Sequence, residues 1–348
     1  MPLNLNYSFN FGVILMVILL FLIITGVLSV LFYNNNLENS FTLLILHGYN
    51  SFFYFFLRVL HNTFANMFFL FMFLHILRSW YYTSSQNSLV LLSGFLMFVL
   101  SCGIAFFGYC LPMGQMSYWA AIVIFSLLSV LPFGLLILLY IFGSFAISTR
   151  TLSLLFFLHF ITPFILSILF IFHFLNLHNT LSTGTLLTDW IDLTSFYPYY
   201  ILIDIFIVML LALLIIFMIF FSSLYWFETA NFVSFNTLVT PLHIYPDWFL
   251  LFPYACLRSI DNKLIGVFLL LIIMVLFFYS ATVNVIFKFN PSLNFLQSYI
   301  FFFFILMMFV GSNPSVYPYS LLIIILQLFL YVLVFIYLVS IFFFRWLN

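Results

Sequence analysis

The chain has 348 residues, 67% of them hydrophobic and only 4% charged, with a mean hydropathy of +1.33. A water-soluble domain carries roughly 25% charged residues, so this composition excludes one and predicts an all-α membrane protein with several spans in the lipid. Seven basic and seven acidic residues cancel. That balance gives no basic face for nucleic acid, so none is expected as a partner.

In chain order, apolar stretches long enough to span lie near residues 11 to 33, 52 to 82, 89 to 109, 151 to 177, 201 to 226, 264 to 287, 297 to 311 and 319 to 345. Eight transmembrane helices are therefore predicted, the seventh being the shortest. Polar breaks at 34 to 40, 83 to 88, 178 to 200, 228 to 263 and 288 to 296 read as loops. The longest, 228 to 263, holds the densest polar chemistry, and loops of that length in compact proteins are commonly functional. Residues 122 to 142 are also apolar, but Pro132 and Gly134 interrupt them and predict a surface-lying helical hairpin between spans three and four. No basic leader with a short apolar region and a small-residue cleavage site precedes the first span, so no removable presequence is expected. Cys102, Cys110 and Cys256 lack metal-type spacing and read as small buried thiols.

Four histidines form two pairs of equal spacing, His61 with His75 and His159 with His173, each fourteen residues apart. Fourteen residues at about 100° each come within about 40° of whole turns, so both imidazoles of a pair share one helix face, about 21 Å apart in height. Two such helices side by side offer two bis-histidine iron sites, one near each face of a hydrocarbon core about 30 Å thick. The competing reading of a single apolar-helix histidine is a hydrogen-bonded core residue, and the repeat argues against it. If residues 122 to 142 lie on the surface, the two helices run parallel and His61 faces His159 while His75 faces His173. If they span, the partners swap, and the equal spacings leave both arrangements open. Gly12 and Gly26, then Gly94 and Gly108, repeat the same interval of fourteen. Glycines so placed suggest a flat group approaching the backbone, for which porphyrin edges fit, or else close helix packing.

Two segments carry a resemblance: Gly108 to Trp119 (GYCLPMGQMSYW) and Pro246 to Lys263 (PDWFLLFPYACLRSIDNK). With the four histidines and four glycines, they resemble the signature stretches of the mitochondrial cytochrome b family, the membrane subunit of respiratory complex III. The resemblance runs from about residue 9 to the C-terminus. It implies two non-covalent b-type haems, eight spans and a surface hairpin, which selects the parallel arrangement. His61 and His159 then hold the outer, low-potential haem iron, and His75 and His173 the inner, high-potential one. It also implies a di-haem four-helix bundle over residues 1–200 and a four-span region over 201–348. The implied activity is ubiquinol oxidation at an outer site and quinone reduction at an inner site in a proton-translocating Q cycle. The implied partners are a Rieske iron-sulfur protein, a cytochrome c1-type subunit and other complex III subunits, in a homodimeric complex of the mitochondrial inner membrane.

Site residues follow from the same resemblance. Arg58, three residues before His61, and Arg78, three after His75, are candidates to pair with haem propionates, with lipid-headgroup snorkelling as the alternative. Where the family usually has a further Arg, Leu154 stands, and Arg150 is the candidate substitute. At the outer site Asp247 stands where the family most often has Glu, beside Trp248, with Tyr254 as companion hydroxyl and Phe106 as a wall. A carboxylate in a dry pocket has a raised pKa suited to accepting a quinol proton near neutrality. Phe249 replaces the usual Tyr, and Ala120 replaces a usual Gly, so its methyl is expected to narrow the pocket against methoxyacrylate-type inhibitors. At the inner site His178 and Asp204 are expected to exchange protons and hold the quinone, with Asn6 and Ser8 contributing. Ile203 stands where the family usually has Lys. His47 and His243 read as loop histidines, and Arg258 and Lys263 as residues that orient the loop.

Three alternatives remain distinguishable. A formate dehydrogenase or nitrate reductase anchor would lack the Pro246–Phe249 motif, and the chloroplast-type relative divides this length over two chains and spaces its second histidine pair by fifteen. A cofactor-free transporter would show no b-type absorbance.

Overall fold

The computed structural model describes residues 5–81, 88–180, 193–222, 227–283 and 291–347. Within them the chain is largely helical, with an isolated antiparallel bridge between Gly114 and Ser234. The long helices are α1 (Phe11–Val30), α3 (Phe52–Tyr81), α4 (Ser88–Cys110), α7 (Thr149–Thr180), α8 (Ile201–Ser222), α10 (Lys263–Val283), α11 (Pro291–Gly311) and α12 (Tyr319–Leu347). Among the described residues six helices are long and apolar enough to cross a membrane, with Lys263–Val275 and Tyr299–Gly311 as shorter apolar stretches. The seventh predicted stretch is the N-terminally shortened reading of α11, which begins at Pro291. Proline is tolerated in the first turn, where its missing N–H has no intrahelical acceptor.

Two shorter helices lie where loops were expected. Ser40–Asn50 forms α2, which packs on α3. Leu251–Arg258 forms α9 inside the long loop, after a 3-10 turn at Trp248–Leu250. Residues 122 to 142 are not one continuous helix. Helix α5 (Gln115–Ser129) stops before a turn in which Phe133 is left-handed (φ 62°), followed by the short α6 (Gly134–Ile137) and a π turn at Leu138–Phe142. Pro132 and Gly134 are the breakers that the sequence marked.

The helices bury three apolar cores. The first lies among α1, α3, α4, α7 and α8 and includes Ile18, Met67, Phe98, Leu166, Leu211 and Phe249. Helices α1 with α3, and α4 with α7, make its closest pairs. The second joins α9 to α12 around Phe252, Ile300, Met307 and Tyr337. The third joins the end of α4 to α5, the π turn and the start of α7, around Cys110, Met113 and Leu152. Elsewhere the long helices expose apolar side chains, as along α8 at Leu202, Phe206, Met209, Leu213, Phe217 and Phe220. Such continuous apolar faces are sustainable only against lipid or apolar partners.

Segment 228–239 is pinned to the start of α5. Ser117 N–H donates to Asn231 Oδ1 (2.9 Å), Gln115 N–H donates to Val233 C=O (3.0 Å), and Gln115 Oε1 accepts from Asn236 N–H. These bonds satisfy amides that the first turn of a helix leaves without partners. A Cβ on Gly114 would lie 2.7 to 2.8 Å from Oδ1, Cα and O of Asn231, so only glycine admits this approach.

Candidate functional site

The four histidines sit on two helices, His61 and His75 on α3 and His159 and His173 on α7. His61 and His159 face each other with ring centres 6.1 Å apart. His75 lies within electrostatic range of His173. The structure therefore has the parallel arrangement, and the swapped pairing is absent.

Each histidine lies against one of the four repeated glycines. A Cβ would come 2.5 Å from His159 Cε1 at Gly108, 3.2 Å from His61 Cε1 at Gly26, 3.4 Å from His173 Cε1 at Gly94 and 3.8 Å from His75 Cε1 at Gly12. Among the protein's own side chains, the flat group nearest these glycines is thus the imidazole. The reason is hydrogen bonding. His159 Nδ1 lies 2.8 Å from the Ile104 carbonyl, four residues before Gly108. At His61 and His173 the nearby turn of the facing helix is reached through a side-chain hydroxyl: Thr25 Oγ1 lies 2.9 Å from His61 Nδ1, and Ser93 Oγ lies 2.9 Å from His173 Nδ1. A histidine reaches a helix carbonyl only where the next turn up carries no side chain.

These bonds test whether the site fits a haem. A backbone carbonyl only accepts, so Nδ1 must carry the proton and Nε2 keeps a lone pair free for a metal. Two imidazoles on one first-row metal, with bonds of about 2.0 Å, put their ring centres roughly 6 Å apart, in line with the His61–His159 geometry. The Thr25 and Ser93 hydroxyls give their own protons to helix carbonyls and so accept from Nδ1, which leaves Nε2 of His61, His159 and His173 free for a metal. His75 is placed to complete the second pair, and its Nδ1 faces the donor Arg78 Nη2 at 3.4 Å.

A cavity of about 340 Å³ extends from the outer histidine pair. Its wall includes His61, His159, Gly26, Gly108, Arg58 and Tyr33 and continues to Phe249, Asp247, Glu228 and Asn231. Imidazoles, a guanidinium and two carboxylates thus share one enclosure. Burial, and after it the charge of Glu228, pushes the Asp247 carboxyl up to about 7. Glu228 is in turn held by Tyr245, whose hydroxyl donates to Oε2 at 2.9 Å. Burial first, then this bond and the Glu228 charge, push the Tyr245 phenol up to about 12, so it stays a neutral donor.

Other expected outer-site residues lie elsewhere. Trp248 donates its indole N–H to Asn66 Oδ1 (2.7 Å), and Tyr254 donates its hydroxyl to the Ile244 carbonyl (2.7 Å). Phe106 packs against the core at the start of α5, and Ala120 is buried within α5. None of these four lines the cavity. Their polar atoms and rings are taken up by loop and helix packing. Arg150 is exposed and packs against Gly143. Glu228, Asn231 and Asn66 were not singled out in the sequence, though an Asn four residues after Asn62 in an apolar span was a usable signal.

Toward the other end, Asp204 near the start of α8 accepts from Asn10 Nδ2 at the start of α1. His178, in the last turn of α7, is exposed and rests on Phe174 with ring centres 4.1 Å apart. Asn6 Oδ1 accepts from Ser8 N–H at 3.1 Å and so caps the first turn of the chain. His47 packs against Tyr54, and His243 lies 3.2 Å from the Ser312 carbonyl. Arg258 donates to the carbonyls of Asn313 (2.7 Å) and Val310 (3.2 Å), tying α9 to the end of α11. Lys263 opens α10.

Comparison with known proteins follows this geometry. Residues 1–181 match the family described as Cytochrome b/b6/petB, and residues 234–342 match Cytochrome b(C-terminal)/b6/petD. The chain is 36% identical over 328 residues to cytochrome b of Brachionus plicatilis, covering 92% of this chain and 86% of the relative. It is also 36% identical over 336 residues to cytochrome b of Myxine glutinosa, covering 92% and 85%. A solved structure titled "Hyperthermophilic respiratory Complex III" contains a chain of the same fold, with a TM-score of 0.87 at 24% identity over 98% of this chain and 92% of that one.

Proposed function

This chain belongs to the cytochrome b family, and on that premise we propose that it is the di-haem, quinol-oxidising subunit of respiratory complex III. Two b-type haems, held through His61 with His159 and through His75 with His173, supply one-electron transfer across the membrane when bound. Arg58 and Arg78, each one helical turn from a histidine, serve the propionates. Eight helices cross the mitochondrial inner membrane, α10 and α11 among them, and α5 with α6 forms a surface hairpin. Residues 1–200 form the haem-binding region and residues 201–348 the remainder.

The observation that carries this reading is the single cavity joining the outer histidine pair to Asp247. Ubiquinol oxidation releases protons, and a carboxyl that ionises at about 7 is matched to accept one near neutrality. Phe249 and the aliphatic wall exclude water, which keeps the proton on defined partners. One electron leaves to a Rieske-type partner beside a cytochrome c1-type subunit, in a homodimeric assembly. At the inner site Asp204, oriented by Asn10, and His178 deliver protons to the reduced quinone. Reduced-minus-oxidised spectra of the purified complex test the reading. Two b-type haems per chain are expected, and a chain with none overturns it.

A further inference from the structure

Two carboxylates, rather than one, face the outer cavity. Asp247 is the one expected from its motif, but Asp reaches about 1.5 Å less far than the Glu usual there. Glu228 lies nineteen positions earlier in the chain and lines the same cavity. Its placement is built. The backbone turn at Thr229–Phe232 is fixed through Asn231 on α5, and the Tyr245 hydroxyl holds Glu228 Oε2. The groups facing the pair are Arg58 from α3, Tyr109 and Cys110 from α4 and Tyr245 from the loop. Glu228 is half-buried and its neighbour Thr229 is exposed, so the turn connects the cavity to the surface.

We propose that Glu228 is the second proton carrier of the outer site, taking the quinol proton from Asp247 and releasing it to water at the loop surface, while Tyr245 holds its carboxylate in place. The proposal rests on the outer cavity being the quinol-oxidising site. The step moves one proton and no electron. A quinol O–H bond breaks as an Asp247 O–H bond forms; that bond breaks as a Glu228 O–H bond forms, directly or through water; and Glu228 then gives the proton to solvent. The electrons leave to the one-electron acceptors already described. The two carboxylates line one cavity, so a negative charge on Glu228 is felt at Asp247. That charge is the second cause, after burial, of the raised Asp247 pKa.

The test uses the assembled complex, with quinol-dependent cytochrome c reduction measured as a function of pH in Glu228→Gln, Glu228→Asp, Tyr245→Phe and Asp247→Asn variants. Glu228→Gln is expected to lower the rate about tenfold at neutral pH, within the range for losing a positioned proton carrier. Its acidic limb is expected to move to lower pH, because Asp247 loses a neighbouring negative charge. Glu228→Asp is expected to keep most of the rate and the limb. A Glu228→Gln complex with full haem absorbance and an unshifted limb overturns the proposal, even if its rate falls, since a merely structural role would lower the rate alone. If that variant does not assemble, Tyr245→Phe decides, with a shifted limb expected and an unshifted one overturning the proposal. Activity lost in Asp247→Asn alone leaves the quinol site standing without the relay. Activity retained in Asp247→Asn overturns the site and the relay together.

Discussion

The indole N–H of Trp248 donates to Oδ1 of Asn66 at 2.7 Å, joining the loop after α8 to the helix that carries His61 and His75. Asn66 is itself fixed, its amide donating to the Asn62 carbonyl at 2.9 Å. One residue on, Phe249 stacks on Phe69 of the same helix, with ring centres 3.8 Å apart and planes within 2°. Two consecutive side chains of the loop are thus committed to α3, and this orients Asp247 into the cavity. Phe suits that stack where the family usually has Tyr, because a buried ring leaves no hydroxyl to satisfy.

Trp248→Phe keeps the ring and removes the donor, leaving Asn66 Oδ1 without it. A loss of about 1–3 kcal/mol is expected. Thermal inactivation of quinol oxidation should come at lower temperature than in the parent, and pairing with Asn66→Ala should give less than the sum of the two single losses.

The glycine contacts set an order of tolerance. Gly108→Ala forces a methyl to within 2.5 Å of His159, whereas Gly12→Ala meets His75 at an ordinary 3.8 Å. Difference spectra should show the outer, low-potential b haem lost in Gly108→Ala and both haems kept in Gly12→Ala.

The Asp247 carboxyl at about 7 gives the pH dependence its sign. Below that pH it is protonated and cannot accept a quinol proton, so quinol oxidation should fall as pH drops through 7. Asp247→Asn should lower the rate by about 10²-fold or more and abolish that limb. Rate measurements from pH 5.5 to 9 on the assembled complex check both effects.

Asn10 is buried and holds Asp204 from the start of α1. Asn10→Leu removes the donor without opening a cavity. Reduction of cytochrome b through the inner site, measured with the outer site inhibited, should slow several-fold, with haem content unchanged.

The eight apolar stretches, the breakers at Pro132 and Gly134 and the two histidine pairs were legible in the sequence because each is a local pattern of composition or helical period. Asp247 was legible because its motif is contiguous. Helix α9 was not, since its apolar face exists only against α10, α11 and α12. The partners of Trp248 and Tyr254, Asn66 and the Ile244 carbonyl, were not legible, because a motif specifies which residues are present and leaves open which way they point.

By itself, then, the sequence determined the membrane class, the helices and the face on which each histidine pair lies, since helical period and lipid solvation act within a single segment. The pairing of His61 with His159, the seating of imidazoles beside Gly26, Gly94 and Gly108, and the meeting of Glu228 with Asp247 were decided only by the tertiary structure. Each depends on residues distant in the chain, brought together by helix packing and by backbone hydrogen bonds such as those between Asn231 and α5.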